Sequence, residues 1–135
     1  MKKSTEQDLV RQVLQLLKLR GVLCWRQNQG AARYRSESGR SRFVRFSSMP
    51  GIADVLAVLP GGRFLACEVK IGRNQTTPEQ AAFLAAVRSA GGVAAVIRDV
   101  RELDALLAQL HQDRAGHALT AEIDSGVTED CSTAP

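Results

Sequence analysis

The sequence predicts an α/β domain in which helices flank a mixed β-sheet, and three observations carry that prediction. Two β-type runs, Val55 to Leu59 and Phe64 to Val69, stand on either side of Pro60-Gly61-Gly62-Arg63, so they should pair as an antiparallel hairpin about a glycine turn. After the hairpin come a helical pattern, another apolar run and a second helical pattern, an order that implies a right-handed crossover and hence a parallel pairing in the same sheet. Finally, 135 residues is close to the commonest size of one domain. With 44% apolar residues but only 4% aromatic ones, its single core must be filled by Leu, Val, Ile and Ala.

The first helix starts after a cap at Ser4 or Thr5 and carries Leu9, Val10, Val13, Leu14, Leu16 and Leu17 on one face until Gly21 stops it. Val22 to Trp25 is an apolar run of strand length. Gln27 to Gly39 is polar and rich in Gly, Ala and Ser, which predicts a loop or flexible arm. Arg42-Phe43-Val44-Arg45-Phe46 alternates charged and apolar residues and should be a strand with one cationic, wet face. Beyond the central hairpin, Thr77-Pro78-Glu79-Gln80 opens a helix, with threonine as cap, proline in the first turn and glutamine placed to close a capping box. That helix should run to about Ala90 before Gly91-Gly92 ends it. Val93 to Ile97 is the next strand, and Asp99 caps a last helix bearing Val100, Leu103, Leu106, Leu107 and Leu110. Apolar periodicity ends at Gln112, which predicts a folded domain over residues 1–112 and a disordered acidic tail over 113–135.

Composition excludes several chemistries. Cys24, Cys67 and Cys131 are odd in number and widely spaced, which predicts no disulfide framework, and with only His111 and His117 beside them no tetrahedral zinc set stands at ligand spacing. Any metal must be held by oxygen. No apolar run approaches the roughly 20 residues of a membrane span, and Met1-Lys2-Lys3 leads into polar residues, so a cytoplasmic protein is expected. Charge is uneven: residues 1–112 carry 17 Lys and Arg against 9 Asp and Glu, whereas residues 113–135 carry 1 against 5. The folded part is thus more basic than the net charge of +4 suggests, and a field of that sign attracts polyanions, nucleic acid above all.

The chemistry-bearing residues converge by counting. Asp54 begins the first hairpin strand while Glu68 and Lys70 end the second, so closing the hairpin brings all three to one end. A strict two-residue loop would set Asp54 opposite Val69 on the wrong face. A three-residue loop or one bulge would set it beside Glu68 and Lys70, which share a face because they are two apart. Two carboxylates at one sheet end repel each other unless a cation sits between them. A hard ion such as Mg2+ could take Asp54, Glu68 and the backbone carbonyl of Val69 as ligands and keep several waters, with Lys70 holding water or phosphate through its ammonium group. Taken singly, Glu68-Val69-Lys70 is an ordinary strand edge and Asp54 an ordinary turn residue; the combination carries the signal.

The run Met49-Pro50-Gly51-Ile52-Ala53-Asp54-Val55, then Glu68-Val69-Lys70, then Thr77-Pro78-Glu79-Gln80-Ala81-Ala82-Phe83-Leu84, resembles the VRR-NUC branch of the PD-(D/E)XK nuclease superfamily over most of residues 5–98. The resemblance implies a restriction-endonuclease-like core and a Mg2+- or Mn2+-dependent endonuclease in which Asp54 and Glu68 bind metal, Lys70 assists catalysis and Gln80 faces the same site. It also implies a site role for Glu6, since many members bring an acidic residue from the first helix. Ala53 stands where the superfamily name has proline, with Pro50-Gly51 upstream instead. Gln80 also fits a capping box, and Glu6 in a first helical turn also favours the helix dipole with no site role. Stand-alone members of the branch are similar to Holliday-junction resolvases that act as homodimers, often from phages, which implies branched DNA as the partner.

Arg26, Arg33, Arg35, Arg40, Arg42 and Arg45 face a single acid, Glu37, with Tyr34 interleaved, and Arg73 extends the cationic surface past Lys70. Arginine forks grip phosphate without reading sequence, and no recognition helix is evident, so structure rather than base sequence should select the cut. A less selective flap or duplex nuclease, or a non-catalytic DNA-binding module, uses the same features.

Overall fold

A computed structural model of the chain describes residues 3–27, 31–45 and 49–124. The elements run α1 (Glu6–Leu19), β1 (Leu23–Arg26), β2 (Ala31–Arg35), β3 (Ser41–Arg45), β4 (Val55–Val58), β5 (Phe64–Val69), α2 (Pro78–Ser89), β6 (Val93–Ile97) and α3 (Val100–Asp124). Four strands form a mixed sheet in the order β1-β4-β5-β6; β4 is antiparallel to β1 and β5, while β5 and β6 are parallel across the α2 crossover.

Local chemistry explains the helix starts. Thr5 caps α1 in a reciprocal capping box with Asp8, and Thr77 caps α2 in the same way with Gln80. Asp99 accepts a hydrogen bond from the Arg101 amide at the start of α3. The sheet separates two apolar layers. On one side Leu9, Val10, Val13 and Leu17 of α1 and Leu103 and Leu107 of α3 pack on Val55, Ala57, Leu65, Cys67, Val69, Val93 and Ile97. On the other, Leu84 and Val87 of α2 cover Ala53, Leu56, Ala66 and Ala94. Side chains alternate across a strand, so Leu65, Cys67 and Val69 face the first layer, and Ala66 and Glu68 face the α2 layer.

Two expectations need amendment. Part of the segment expected to be a loop or flexible arm is a strand: β2 pairs with β3 in a separate two-stranded sheet, from Ala31 opposite Arg45 to Arg35 opposite Ser41. Arg33, Tyr34 and Arg35 are all exposed, because the strand is specified by its partner and by the turn in which the Ser36 amide donates to the Arg40 carbonyl, not by a core. The last helix, expected to end near Gln112, continues to Asp124. Asp113 to Gly116 are exposed, so the end of the apolar periodicity marks the end of burial, and helix-favouring residues such as Ala115 carry the backbone on. The rest of the acidic segment, residues 125–135 with Cys131, lies outside the described residues, as does Phe46. Cys67 is fully buried and Cys24 half-buried; both are free thiols. No described helix is long and apolar enough to cross a membrane.

Candidate functional site

The β4–β5 register decides whether the acids meet. Val55 lies opposite Cys67 and Val58 opposite Phe64. The Leu59 amide donates to the Arg63 carbonyl and the Gly62 amide to the Leu59 carbonyl, leaving the three-residue loop Pro60-Gly61-Gly62. Gly61 and Gly62 have φ of 94° and 88°, which residues with a side chain rarely adopt. One step beyond the strand, this register puts Asp54 opposite Glu68, on the α2 side of the sheet. It is the shifted register that convergence requires.

The side chains bear this out. The Val69 amide donates to Asp54 Oδ2 at 2.8 Å, and Lys70 Nζ stands 3.1 Å from Glu68 Oε1. Glu68 is 1% exposed, the sole buried charged residue among those described. Although its Lys70 contact is of ion-pair length, neither Glu68 oxygen accepts a hydrogen bond of good geometry among the described residues. A buried carboxylate left in that state is costly. Burial, reinforced by the negative charge of Asp54 and opposed by Lys70, pushes its pKa up from 4.5 to about 7. Asp54 is also raised, chiefly by burial; the Val69 amide and the charges of Lys70 and Arg26 oppose the shift, and the charge of Glu6 adds to it.

That last effect places Glu6, in the first turn of α1, within electrostatic reach of Asp54, and Asn74 Nδ2 donates to Glu6 Oε1 at 3.3 Å. Gln80 makes the cap: its Oε1 accepts from the Thr77 amide at 2.9 Å. Arg26 ends β1 opposite Val55, and Arg73 is exposed in the loop after Lys70. By contrast Arg33, Arg35, Arg40 and Arg42 are exposed on the β2–β3 hairpin, which touches no other helix or strand among the described residues. The Arg45 side chain lies outside what is described. The structure therefore gathers Asp54, Glu68, Lys70, Glu6 and Arg26, leaves Arg73 on the loop after Lys70, and sets Arg33, Arg35, Arg40 and Arg42 on a separate arm.

Two features were not legible beforehand. Gly51, with φ 73°, lies so close to the start of α2 that a Cβ there would fall 2.2 Å from the Glu79 carbonyl carbon and 2.5 Å from the Gln80 nitrogen. The segment leading to Asp54 is thus seated directly on the α2 N-terminus. Arg98 donates to the Gly72 and Asn74 carbonyls at 3.0 and 2.8 Å and braces the loop that carries Asn74 to Glu6. No local signal marked Arg98, whereas Pro50-Gly51 marked a turn but not a close approach.

No group of three or more His, Cys, Asp or Glu side chains disposed around a metal is present among the described residues. The donor set nevertheless fits a hard divalent cation: two partly desolvated carboxylates, one without a hydrogen bond of good geometry, share the single ammonium group of Lys70, and such an ion fills the rest of its shell with water and substrate oxygen.

This electrostatics has a measurable consequence. Between its unfolded pKa near 4.5 and its folded value of about 7, Glu68 holds a proton in the folded state that the unfolded chain has released. Its neutral form is tolerated below about pH 4.5, and stability falls as pH rises through 7, by on the order of 3 kcal/mol for this group. Asp54 acts in the same direction. Urea denaturation without metal should therefore show lower stability at pH 8 than at pH 5.5, with Mn2+ restoring part of the loss at pH 8.

No protein-family model matches the chain, and no curated relative does. A solved structure described as a VRR_NUC domain is similar to it, with 22% sequence identity, a TM-score of 0.53, and coverage of 78% of this chain and 97% of that one. At that identity the likeness speaks for architecture alone: the mixed sheet with flanking helices that presents Asp54, Glu68 and Lys70 is the VRR_NUC fold, of restriction-endonuclease-like type.

Proposed function

We propose that the protein is a divalent-metal-dependent endonuclease that cuts branched DNA in the manner of a Holliday-junction resolvase and acts as a homodimer. The observation that carries the nuclease reading is the buried Glu68 carboxylate, without a hydrogen bond of good geometry and opposite Asp54 across the hairpin. A protein gains nothing in stability from such a pair, which is the kind of perturbed carboxylate that marks a working site. The fold shared with a VRR_NUC domain supports the same reading.

Asp54 and Glu68, with the Val69 carbonyl, would hold Mg2+ or Mn2+. When bound, the ion supplies an acidified water and positive charge against the phosphoryl oxygens. The chain's own groups do the positioning. The Val69 amide fixes one Asp54 oxygen, Oδ2, in place. Lys70, tethered near Glu68, presents its ammonium group to the attacking water or the scissile phosphate. Gln80, held at the α2 N-terminus by its cap, and Glu6, bridged to Asn74, would border the same space. Arg26, Arg73 and the arginines of the β2–β3 hairpin, Arg45 among them, would bind phosphates on either side. Leu23 and Trp25, 67% and 40% exposed on the edge strand β1, support a self-association surface. Two paired incisions at a junction call for such a two-fold dimer.

The test is incubation with a synthetic four-way junction, a flap and a linear duplex, with Mg2+ or Mn2+ omitted and restored, alongside Asp54→Asn. Metal-dependent junction incision that disappears in the variant is the expected result. Preferential cutting of duplex would replace the junction reading with a less selective nuclease, and junction binding without cutting in Mn2+ would make the protein a binding module.

A further inference from the structure

The β2–β3 hairpin has no counterpart in the economy of the core. The protein has six aromatic residues, and its interior is aliphatic, yet Tyr34 is 56% and Phe43 60% exposed on this arm. In the antiparallel register Tyr34 lies directly opposite Arg42 and Arg33 directly opposite Phe43. Opposed residues share a face, and neighbouring positions alternate, so Tyr34 and Arg42 occupy one face of the ribbon and Phe43 and Arg33 the other. Each face therefore carries an aromatic ring next to a guanidinium. Arg33, Arg35, Arg40 and Arg42 pair with no carboxylate among the described residues, and Glu37 is the arm's only acid.

Position ties the arm to the site. Where the arm leaves the body, the Gln27 amide donates to the Asp54 carbonyl at 2.8 Å, and where it returns, Gly51 is seated on the α2 N-terminus. Strands of five residues at about 3.4 Å each give a ribbon roughly 17 Å long, the rise of about five stacked base pairs. An isolated two-stranded ribbon with bare rings on both faces is marginal in water. Rings beside arginines, on a ribbon that touches no other helix or strand among the described residues, suit a ligand that offers flat π-faces and phosphates together.

We propose that the β2–β3 arm binds unpaired nucleotides, stacking their bases on Tyr34 and Phe43 while its arginines hold the phosphates, so that the site acts where base pairing is interrupted at a branch point. This names the substrate feature for the nuclease reading and rests on that reading for its purpose, but its physical content is confined to the arm. Paired bases in a continuous duplex hide their faces from the rings and leave only the phosphates to be held. Base–aromatic stacking is tolerant of sequence, so the arm selects structure rather than base order.

The experiment uses the full chain in EDTA, which stops cleavage, and measures fluorescence anisotropy with a labelled single strand of mixed sequence and with the blunt duplex of that sequence, over a salt series. Tyr34→Leu/Phe43→Leu should weaken single-strand binding by about tenfold or more, leave duplex binding within about twofold, and keep the salt slope, since the arginines remain. Tyr34→Phe/Phe43→Tyr should bind like the wild type, and melting temperature should not move because the arm is not packed on the body. An equal loss on both ligands, or no loss on the single strand, overturns the proposal. So does a shift in sedimentation of the Leu variant without a change in single-strand binding, which would assign the rings to contact with a second copy of the chain. The two readings fail separately: ring-dependent binding by a protein that never cuts ends the nuclease, and cutting by a protein indifferent to the rings ends the arm's role.

Discussion

Glu68→Gln should abolish metal-dependent cleavage and at the same time stabilise the metal-free protein at pH 8. The substitution keeps shape and volume, so whatever changes reflects charge. Cleavage should fall by about a thousandfold or more, because a ligand to the cation and the several kcal/mol of charge stabilisation that come with it are lost together. Stability should move the other way. The wild-type carboxylate is 1% exposed, lacks a well-formed hydrogen bond and has its pKa pushed up to about 7, so at pH 8 the fold carries a charge it would release if it could. A neutral amide removes that cost, and the melting temperature at pH 8 should rise. At pH 5, where Glu68 is already protonated, wild type and variant should differ little. Differential scanning calorimetry at both pH values, with a cleavage assay on the same samples, checks the pair of effects. A variant less stable than wild type at pH 8 would mean that the Lys70 contact outweighs burial.

Gly51→Ala should be the most damaging single methyl group in the protein. A Cβ would meet the Glu79 carbonyl carbon at 2.2 Å and oxygen at 2.3 Å, and these are helix backbone atoms that cannot rotate away. The φ of 73° adds the ordinary cost of a side chain in the left-handed region. Together they should amount to roughly 2–5 kcal/mol, expressed either as lost stability or as the 49–54 segment lifting off α2. Either outcome moves Asp54, so cleavage should fall too. Gly21→Ala is the comparison: φ is 70° but nothing lies within 4 Å, so only the backbone cost of about 1 kcal/mol should appear, without loss of cleavage. Urea denaturation of both variants separates steric overlap from backbone strain.

How far the sequence could carry this reading differs from element to element. Pro60-Gly61-Gly62 between two β-type runs announced the hairpin, but the loop's composition suited two registers, and only the hydrogen bonds about Leu59 choose the one that sets Asp54 across from Glu68. The capping boxes at Thr5 and Thr77 were legible because their chemistry is local, whereas Gly51 against Glu79 and Arg98 against Gly72 and Asn74 are tertiary contacts with no pattern in the chain. The strand β2 escaped because Arg33 to Arg35 are all exposed, and the extension of α3 past Gln112 because Asp113 to Gly116 are exposed and show no apolar period. Glu68 was visible as a candidate ligand, but that it would be buried and left without hydrogen bonds depends on α2 closing over the sheet.

The most direct measurement is paramagnetic broadening by Mn2+ of the amide signals of isotopically labelled protein, with a non-cleavable branched oligonucleotide bound. The expected result is broadening centred on Asp54 and on Glu68 to Lys70 at sub-stoichiometric metal, and its loss in Glu68→Gln. Broadening that centres elsewhere, or that persists unchanged in the variant, would contradict a cation held between these two carboxylates.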